Sequence, residues 1–154
     1  MSLVAEHLEQ RGLRFEVLPH PRADTALDEA RALDVPAAEV VKAIVLDIET
    51  GHALALLPAD RRLDLRKVEA ALEVDEVRLA SEDEIATDFP EFELGALPAL
   101  PSLLHVPVVI DPTVLEHASI TFAAGHQRES VRVTPVALLT GATVSITPIT
   151  RPMD

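Results

Sequence analysis

Residues 40–57 read as two apolar strands closed by a polar turn. Val40 to Ile48 is the most apolar segment of the chain apart from Lys42, and Ala53 to Leu57 returns after Glu49-Thr50-Gly51-His52. Two runs of strand length around a glycine-bearing turn predict a buried hairpin. Any fold of this chain has to shelter that hairpin.

The flanking patterns supply helices and further strands. Leu3, Val4 and Leu8 recur at helical spacing before Gly12, a suitable stop. Thr25 with Asp28 reads as a capping box for a helix to about Leu33, and Pro36 as the first position of a short turn. Asp64 caps a stripe of Leu65, Val68 and Leu72, and Ser81 with Glu84 forms another capping box for a helix ending before Pro90. Strands are expected at Arg14–Leu18, Val77–Leu79, Leu104–Ile110, Ile120–Ala123 and Val131–Val133, with Gly125 as a turn. A proline-rich loop spans 89–101, Asp111-Pro112 opens a short helix, and Pro135 to Leu139 is a helical turn ended by Gly141. The β-branched tail from Thr143 to Ile149 reads as an edge strand. Hairpins and helices without strict alternation predict an α+β fold. With no repeat and no linker, residues 1–154 are expected to form one domain.

Composition narrows the function. No run approaches the roughly 20 apolar residues of a membrane span, and the first residues lack the basic start of a signal peptide, so the cytoplasm is the expected compartment. The absence of cysteine excludes thiolate catalysis and cysteine-ligated zinc. The six histidines are scattered without ligand spacing, so no metal or other cofactor is expected. A net charge of −13 opposes non-specific binding to DNA or RNA, so a nucleic-acid partner would have to meet a local basic patch. Arg61, Arg62, Arg66 and Lys67 form the one dense patch, with Arg62 and Arg66 on one face; they are candidates for phosphate contacts or ordinary surface charge. The acids Glu82-Asp83-Glu84, Asp88, Glu91 and Glu93 read as a solvated helix face and loop.

Three places could carry chemistry. Lys42 is one of two lysines against eleven arginines, and it sits inside the apolar run. It reads either as a cation aimed into a pocket or as a head snorkelling from a strand edge. Gly95, in Glu93-Leu94-Gly95-Ala96-Leu97-Pro98-Ala99-Leu100-Pro101, has no helix end or hairpin to explain it. A loop glycine allows close backbone approach and leaves amides free to hold an oxyanion or a water; a rigid surface loop is the other reading. In Ala123-Ala124-Gly125-His126, small residues would leave space for a substrate and His126 could titrate near neutrality, or could simply be exposed. Gly-x-Ser-x-Gly, His-Glu-x-x-His and phosphate-loop motifs are absent from the sequence.

Taken in order, these segments resemble the YbaK/prolyl-tRNA synthetase-associated domain family over residues 13–139. His20 followed by Thr25-Ala26 is similar to its opening helix signature, and Val41-Lys42-Ala43-Ile44-Val45-Leu46 to its lysine-bearing strand. Leu56-Leu57-Pro58-Ala59-Asp60-Arg61-Arg62-Leu63-Asp64 resembles its proline turn, and Phe92 to Pro98 its glycine–proline loop. Ile110-Asp111 and Ala124-Gly125 complete the series. The resemblance implies a mixed β-sheet flanked by helices and a pocket for the aminoacylated 3′ end of tRNA. It implies metal-free hydrolysis of the ester of a mischarged tRNA, in trans, with a synthetase as a further partner. Lys42, Gly95, Pro98 and Ala99 are then the expected catalytic positions, and His20, Thr25, Pro58, Ala124, Gly125 and His126 the substrate-binding ones. Ala99 stands at the family's proline, beside Pro98, and Pro101 stands at its second glycine. A binding module of the same fold without hydrolysis is the alternative.

Overall fold

The computed structural model describes residues 2–140 and 143–153. Strand β1 is Phe15–Pro19, β2 Val41–Ile48, β3 Gly51–Pro58, β4 Arg61–Leu63 and β5 Arg78–Leu79. Further on come β6 Val108–Ile110, β7 Ile120–His126, β8 Glu129–Val133, β9 Val144–Ile146 and β10 Thr150–Pro152. The α-helices are α1 Leu3–Gln10, α2 Ala26–Leu33, α3 Leu65–Leu72, α4 Glu82–Asp88 and α5 Pro101–Leu104.

The expected hairpin forms the centre. β2 and β3 pair antiparallel from Val41↔Pro58 to Ile48↔Gly51, so the reversal needs only Glu49 and Thr50. β6 adds to β3 in parallel, β9 to β6 in parallel, and β5 to β2 antiparallel, giving a mixed sheet in the order β5-β2-β3-β6-β9. A three-stranded antiparallel sheet, β1-β8-β7, faces it, and a parallel bridge from Val40 to Thr121 joins the two.

Alternation along β3 explains why its run is apolar throughout. Leu54 and Leu56 enter the main core with Phe122, Val131 and Val133 of the small sheet and Val4 and Leu8 of α1. Ala53, Ala55 and Leu57 face the other way, against Val68 of α3 and Ile149. A strand covered on both faces has no polar side to show. The architecture is α+β, a mixed sheet flanked by helices, as the motif series implied.

Capping residues act largely as their sequence suggests. Thr25 Oγ1 accepts from Asp28 N–H, although Asp28 makes no return bond and its carboxylate accepts from Arg31 instead. Ser81 and Glu84 make both bonds of the box, and Asp64 caps α3. Four expectations are corrected. Pro36 is the N-cap of a 3₁₀ turn rather than its first residue. Leu104 ends α5, so the strand starts only at Val108; Pro101 opens that helix, where a missing N–H is harmless. Gly125 lies inside β7 at a bulge, and Gln127-Arg128 make the turn. The tail forms two strands, β9 beside β6 and β10 antiparallel to β4. Gly141 lies outside the described residues.

Asp111 secures the tail. Its buried carboxylate accepts from Thr113 N–H and hydroxyl, from Ile149 N–H at 2.9 Å and from Thr150 hydroxyl at 3.1 Å. Burial opposes its charge, but these donors together outweigh burial and hold its pKa below the ordinary value. Such a group stabilises the fold above its unfolded pKa, and that contribution is lost as pH falls through the depressed folded value. Asp111→Ala should therefore lower stability by about 2–3 kcal/mol at neutral pH. Urea unfolding should show the gap from wild type shrinking in acid; an equal gap at both pH values would contradict the assignment.

Candidate functional site

Along β2, the edge not taken by β3 is only partly paired. Val40 bridges to Thr121 at one end, while β5 joins at Leu46 and Asp47 at the other, with Ala80 N–H donating to Val45 C=O. Between these attachments lies a cleft of about 270 Å³. Lys42, Ala43 and Ile44 form one wall, Leu94, Gly95 and Leu97 another, and Glu29 and Ala123 close it. Lys42 and Gly95 thus line one cleft, although more than fifty residues of chain separate them.

Lys42 is half-buried, and among the described residues it has no hydrogen bond or ion pair. Burial, then the nearby Arg62 guanidinium, lowers its pKa, with Asp60 acting in the opposite sense. A partly desolvated ammonium without a protein partner is available to an anionic or carbonyl oxygen in the cleft.

The glycine loop is clasped to the β7–β8 hairpin. Glu93 N–H donates to Gly125 C=O at 2.9 Å, and Gly125 N–H to Ala96 C=O at 3.0 Å. Gln127 Nε2 donates to Leu94 C=O at 2.8 Å. Gly125 has φ +88°, and a Cβ there would lie 2.8 Å from the Phe92 ring. Gly95 has φ +80°, and its Cβ would lie 2.3 Å from the Asp24 carbonyl oxygen. Among the described residues the Gly95 N–H has no protein acceptor, which leaves it free to donate to a ligand.

Other anticipated residues fall into three groups. His20 Nε2 lies 2.8 Å from Ser130 Oγ, and Thr25 is engaged in capping α2. Pro58 ends β3, buried opposite Val41. Pro98, Ala99 and Ala124 are buried, with Ala99 and Ala124 in the main core rather than on the cleft. Alternation along β7 explains this: Ala124 faces the core, so its neighbour Ala123 faces the cleft. His126 is exposed, 3.6 Å from Glu93. In the basic patch, Arg61 Nε donates to Thr150 Oγ1 and Lys67 Nζ to Thr150 C=O, so both tie down β10. Arg66 is exposed, and Arg62 lies directly across the β4–β10 ladder from Arg151.

A larger groove of about 760 Å³ is lined by Asp47, Glu49, Glu73, Asp75, Glu76, Glu84 and Asp88, with Arg78 and His52. His52 contacts Asp47 at 2.8 Å and Asp88 at 2.5 Å, linking the central hairpin to α4. The acidity of this groove repels phosphate. Among the described residues no helix is long and apolar enough to cross a membrane, and no group of three or more His, Cys, Asp or Glu could hold a metal ion.

Glu29 was not anticipated. It is a carboxyl 4% exposed, on the cleft wall, hydrogen-bonded to Ser130 Oγ at 2.5 Å. Burial raises its pKa to about 7 against the opposing Ser130 bond. Its signal in the sequence is positional: Ala26, Glu29, Ala30 and Leu33 share the inward stripe of α2.

Comparison with known proteins finds relatives of the chain and of its fold. The family model described as the aminoacyl-tRNA editing domain matches residues 20–140. A proline–tRNA ligase of Fervidobacterium nodosum is 31% identical over 88 residues, 57% of this chain and 15% of the ligase. That of Thermosipho africanus is 33% identical over 69 residues, 45% of this chain and 12% of the ligase. The chain therefore corresponds to a small part of these relatives. A solved structure described as a candidate trans-editing enzyme for prolyl-tRNA synthetase aligns with TM-score 0.80 and 29% identity, covering 96% of this chain and 98% of its own. A structure from work on grafting epitope backbones onto scaffold proteins aligns with TM-score 0.84 and 25% identity, covering 97% and 96%. The lysine strand, the glycine loop and the hairpin that clasps it all lie inside the matched segment, and the chain belongs to the aminoacyl-tRNA editing domain family, the YbaK/prolyl-tRNA synthetase-associated family that its motifs resemble.

Proposed function

We propose that this protein, acting as a single domain over residues 1–154, is a trans-editing deacylase. It hydrolyses the ester joining a wrong amino acid to the terminal ribose of tRNA, without a metal. The observation that carries this reading is the unpaired ammonium of Lys42 in one cleft with the free amide of Gly95. The lysine holds the carbonyl or phosphate oxygen of the substrate, and the amide donates to the attacking water or the developing oxyanion. Both donors are fixed before the substrate arrives, so catalysis comes from positioning and preorganised charge. Pro98 and Ala99 act behind the loop, by packing it, and Pro58, Ala124 and Gly125 shape the wall from the core side. Arg62 and Arg66 take backbone phosphates, assisted by Arg61 and Lys67.

Substrates differing by a methylene are separated by only about 1–3 kcal/mol in one binding step, which is why such a second sieve is useful. The test is release of amino acid from a panel of small amino acids mischarged on non-cognate tRNAs. At least one should be hydrolysed faster than in buffer. Retention of charged tRNA on a filter without turnover would instead establish the binding-module alternative.

A further inference from the structure

The carboxyl of Glu29 belongs to a chain of hydrogen bonds that leads out of the cleft. Glu29 Oε2 lies 2.5 Å from Ser130 Oγ, which lies 2.8 Å from His20 Nε2. His20 Nδ1 lies 2.7 Å from the Pro21 carbonyl oxygen at the surface. Ser130 stands opposite Ala123 in the β7–β8 ladder, so its side chain projects from the same face of the sheet as Ala123, toward the cleft side and Glu29. Ser130 is fully buried, and His20 is partly exposed.

The chemistry of these atoms fixes where protons sit. A carbonyl oxygen only accepts, so His20 Nδ1 carries a hydrogen. In neutral His20, Nε2 then accepts, and the Ser130 hydroxyl donates to it. Ser130 can in turn accept from Glu29 only if that carboxyl is protonated. If Glu29 is ionised, Ser130 donates to it and accepts from Nε2–H, making His20 an imidazolium. The two arrangements differ by a proton moved from Glu29 to Ser130 together with one moved from Ser130 to His20. Each is fully hydrogen-bonded, which is what a proton conduit needs.

We infer that Glu29, Ser130 and His20 form a relay that carries the proton of ester hydrolysis from the cleft to solvent. This rests on the deacylase reading. Ionised Glu29 takes a proton from the attacking water as its oxygen bonds to the carbonyl carbon. The carbon–oxygen bond to the ribose then breaks, its electron pair leaves on the ribose oxygen, and Glu29 returns the proton there. The product acid loses its own proton to Glu29, which passes it through Ser130 to His20 Nε2. The partly exposed imidazolium then gives up its Nδ1 proton to water as that N–H leaves the Pro21 carbonyl, and the ring returns to its resting tautomer by exchange with solvent. One water is consumed and one proton released. Lys42, Glu82 and Glu93 are the other charged groups lining the cleft, and none of them is hydrogen-bonded to Glu29.

The test combines turnover with a readout on the free protein. Glu29→Gln keeps the shape and a bond to Ser130, and should lower kcat about 10²-fold with KM little changed. It should also remove the limb of the pH–rate profile near neutrality, which loss of packing alone would not do. Ser130→Ala should lower kcat about tenfold in the wild-type background and have no further effect in Glu29→Gln. In ¹³C-labelled protein, the midpoint of the Glu29 carboxyl should move in Ser130→Ala, and in His20→Ala only while Ser130 is present. An unchanged pH–rate profile in Glu29→Gln overturns the relay, as does a Glu29 midpoint that His20→Ala leaves in place. Absence of turnover by wild type on every mischarged tRNA overturns the deacylase reading instead, and the titration then decides whether the conduit exists.

Discussion

Lys42→Ala is expected to slow deacylation by about 10²–10³-fold while leaving the fold intact. The magnitude is that of removing one preorganised charge from a site where oxyanion character develops, about 3–4 kcal/mol of the barrier. The fold should survive because the ammonium has no internal partner among the described residues and sits beside the Arg62 guanidinium. Removing it relieves a desolvated charge and one like-charge repulsion, so unfolding midpoints should stay level or rise slightly. Lys42→Arg is a useful companion, since the guanidinium keeps the charge but is planar and bulkier. Single-turnover release from the best substrate of the panel is the measurement. Near-normal rates in Lys42→Ala would remove the lysine from the mechanism.

Gly95→Ala should be comparably damaging for a different reason. At φ +80° an alanine is strained by about 1–2 kcal/mol before any contact is counted. The added methyl would also lie 2.3 Å from a backbone oxygen, which cannot rotate away as a side-chain tip could. The loop cannot yield freely, because bonds from Glu93, Gly125 and Gln127 hold it on both sides of the glycine. Something must shift, and the amide at the cleft is the group most directly moved. The expectation is a stability loss of about 2 kcal/mol and a fall in release of at least about 10²-fold, with amide shifts confined to residues 92–97 and 123–127. A fully active Gly95→Ala protein would show that the loop does not hold the reacting atoms.

The parts of this molecule that could be read from sequence are those written in local pattern. The central hairpin is one, because a two-residue reversal between long apolar runs leaves a single register that buries both. The caps at Ser81 and Asp64 are others, since the bond each makes spans only two or three residues. What escaped was set by distance along the chain. β4 and β10 are three residues each and exist only because the middle of the chain meets its C-terminal segment. Gly125 resembled a turn, since glycine serves a bulge and a reversal equally well. Lys42 and Gly95 were legible as unusual residues, but their shared cleft follows from an unpaired stretch of strand edge that no local motif encodes. Glu29 carried no local mark of its own; its hydrogen-bond partner, Ser130, lies a hundred and one positions later. Ala123 was quoted beside Ala124, and only the pleat decides which of the two lines the cleft.

The ribbon of β4 and β10 sets two guanidinium groups, Arg62 and Arg151, across from each other. Like charges in that position repel, so a polyanion settling between them would tighten the ribbon as it docks. Arg151 lies past residue 140, where the family correspondence stops. On the deacylase reading proposed above, a tRNA backbone held at this ribbon would lean on a strand outside the matched segment, while Lys42 and Gly95 lie within it.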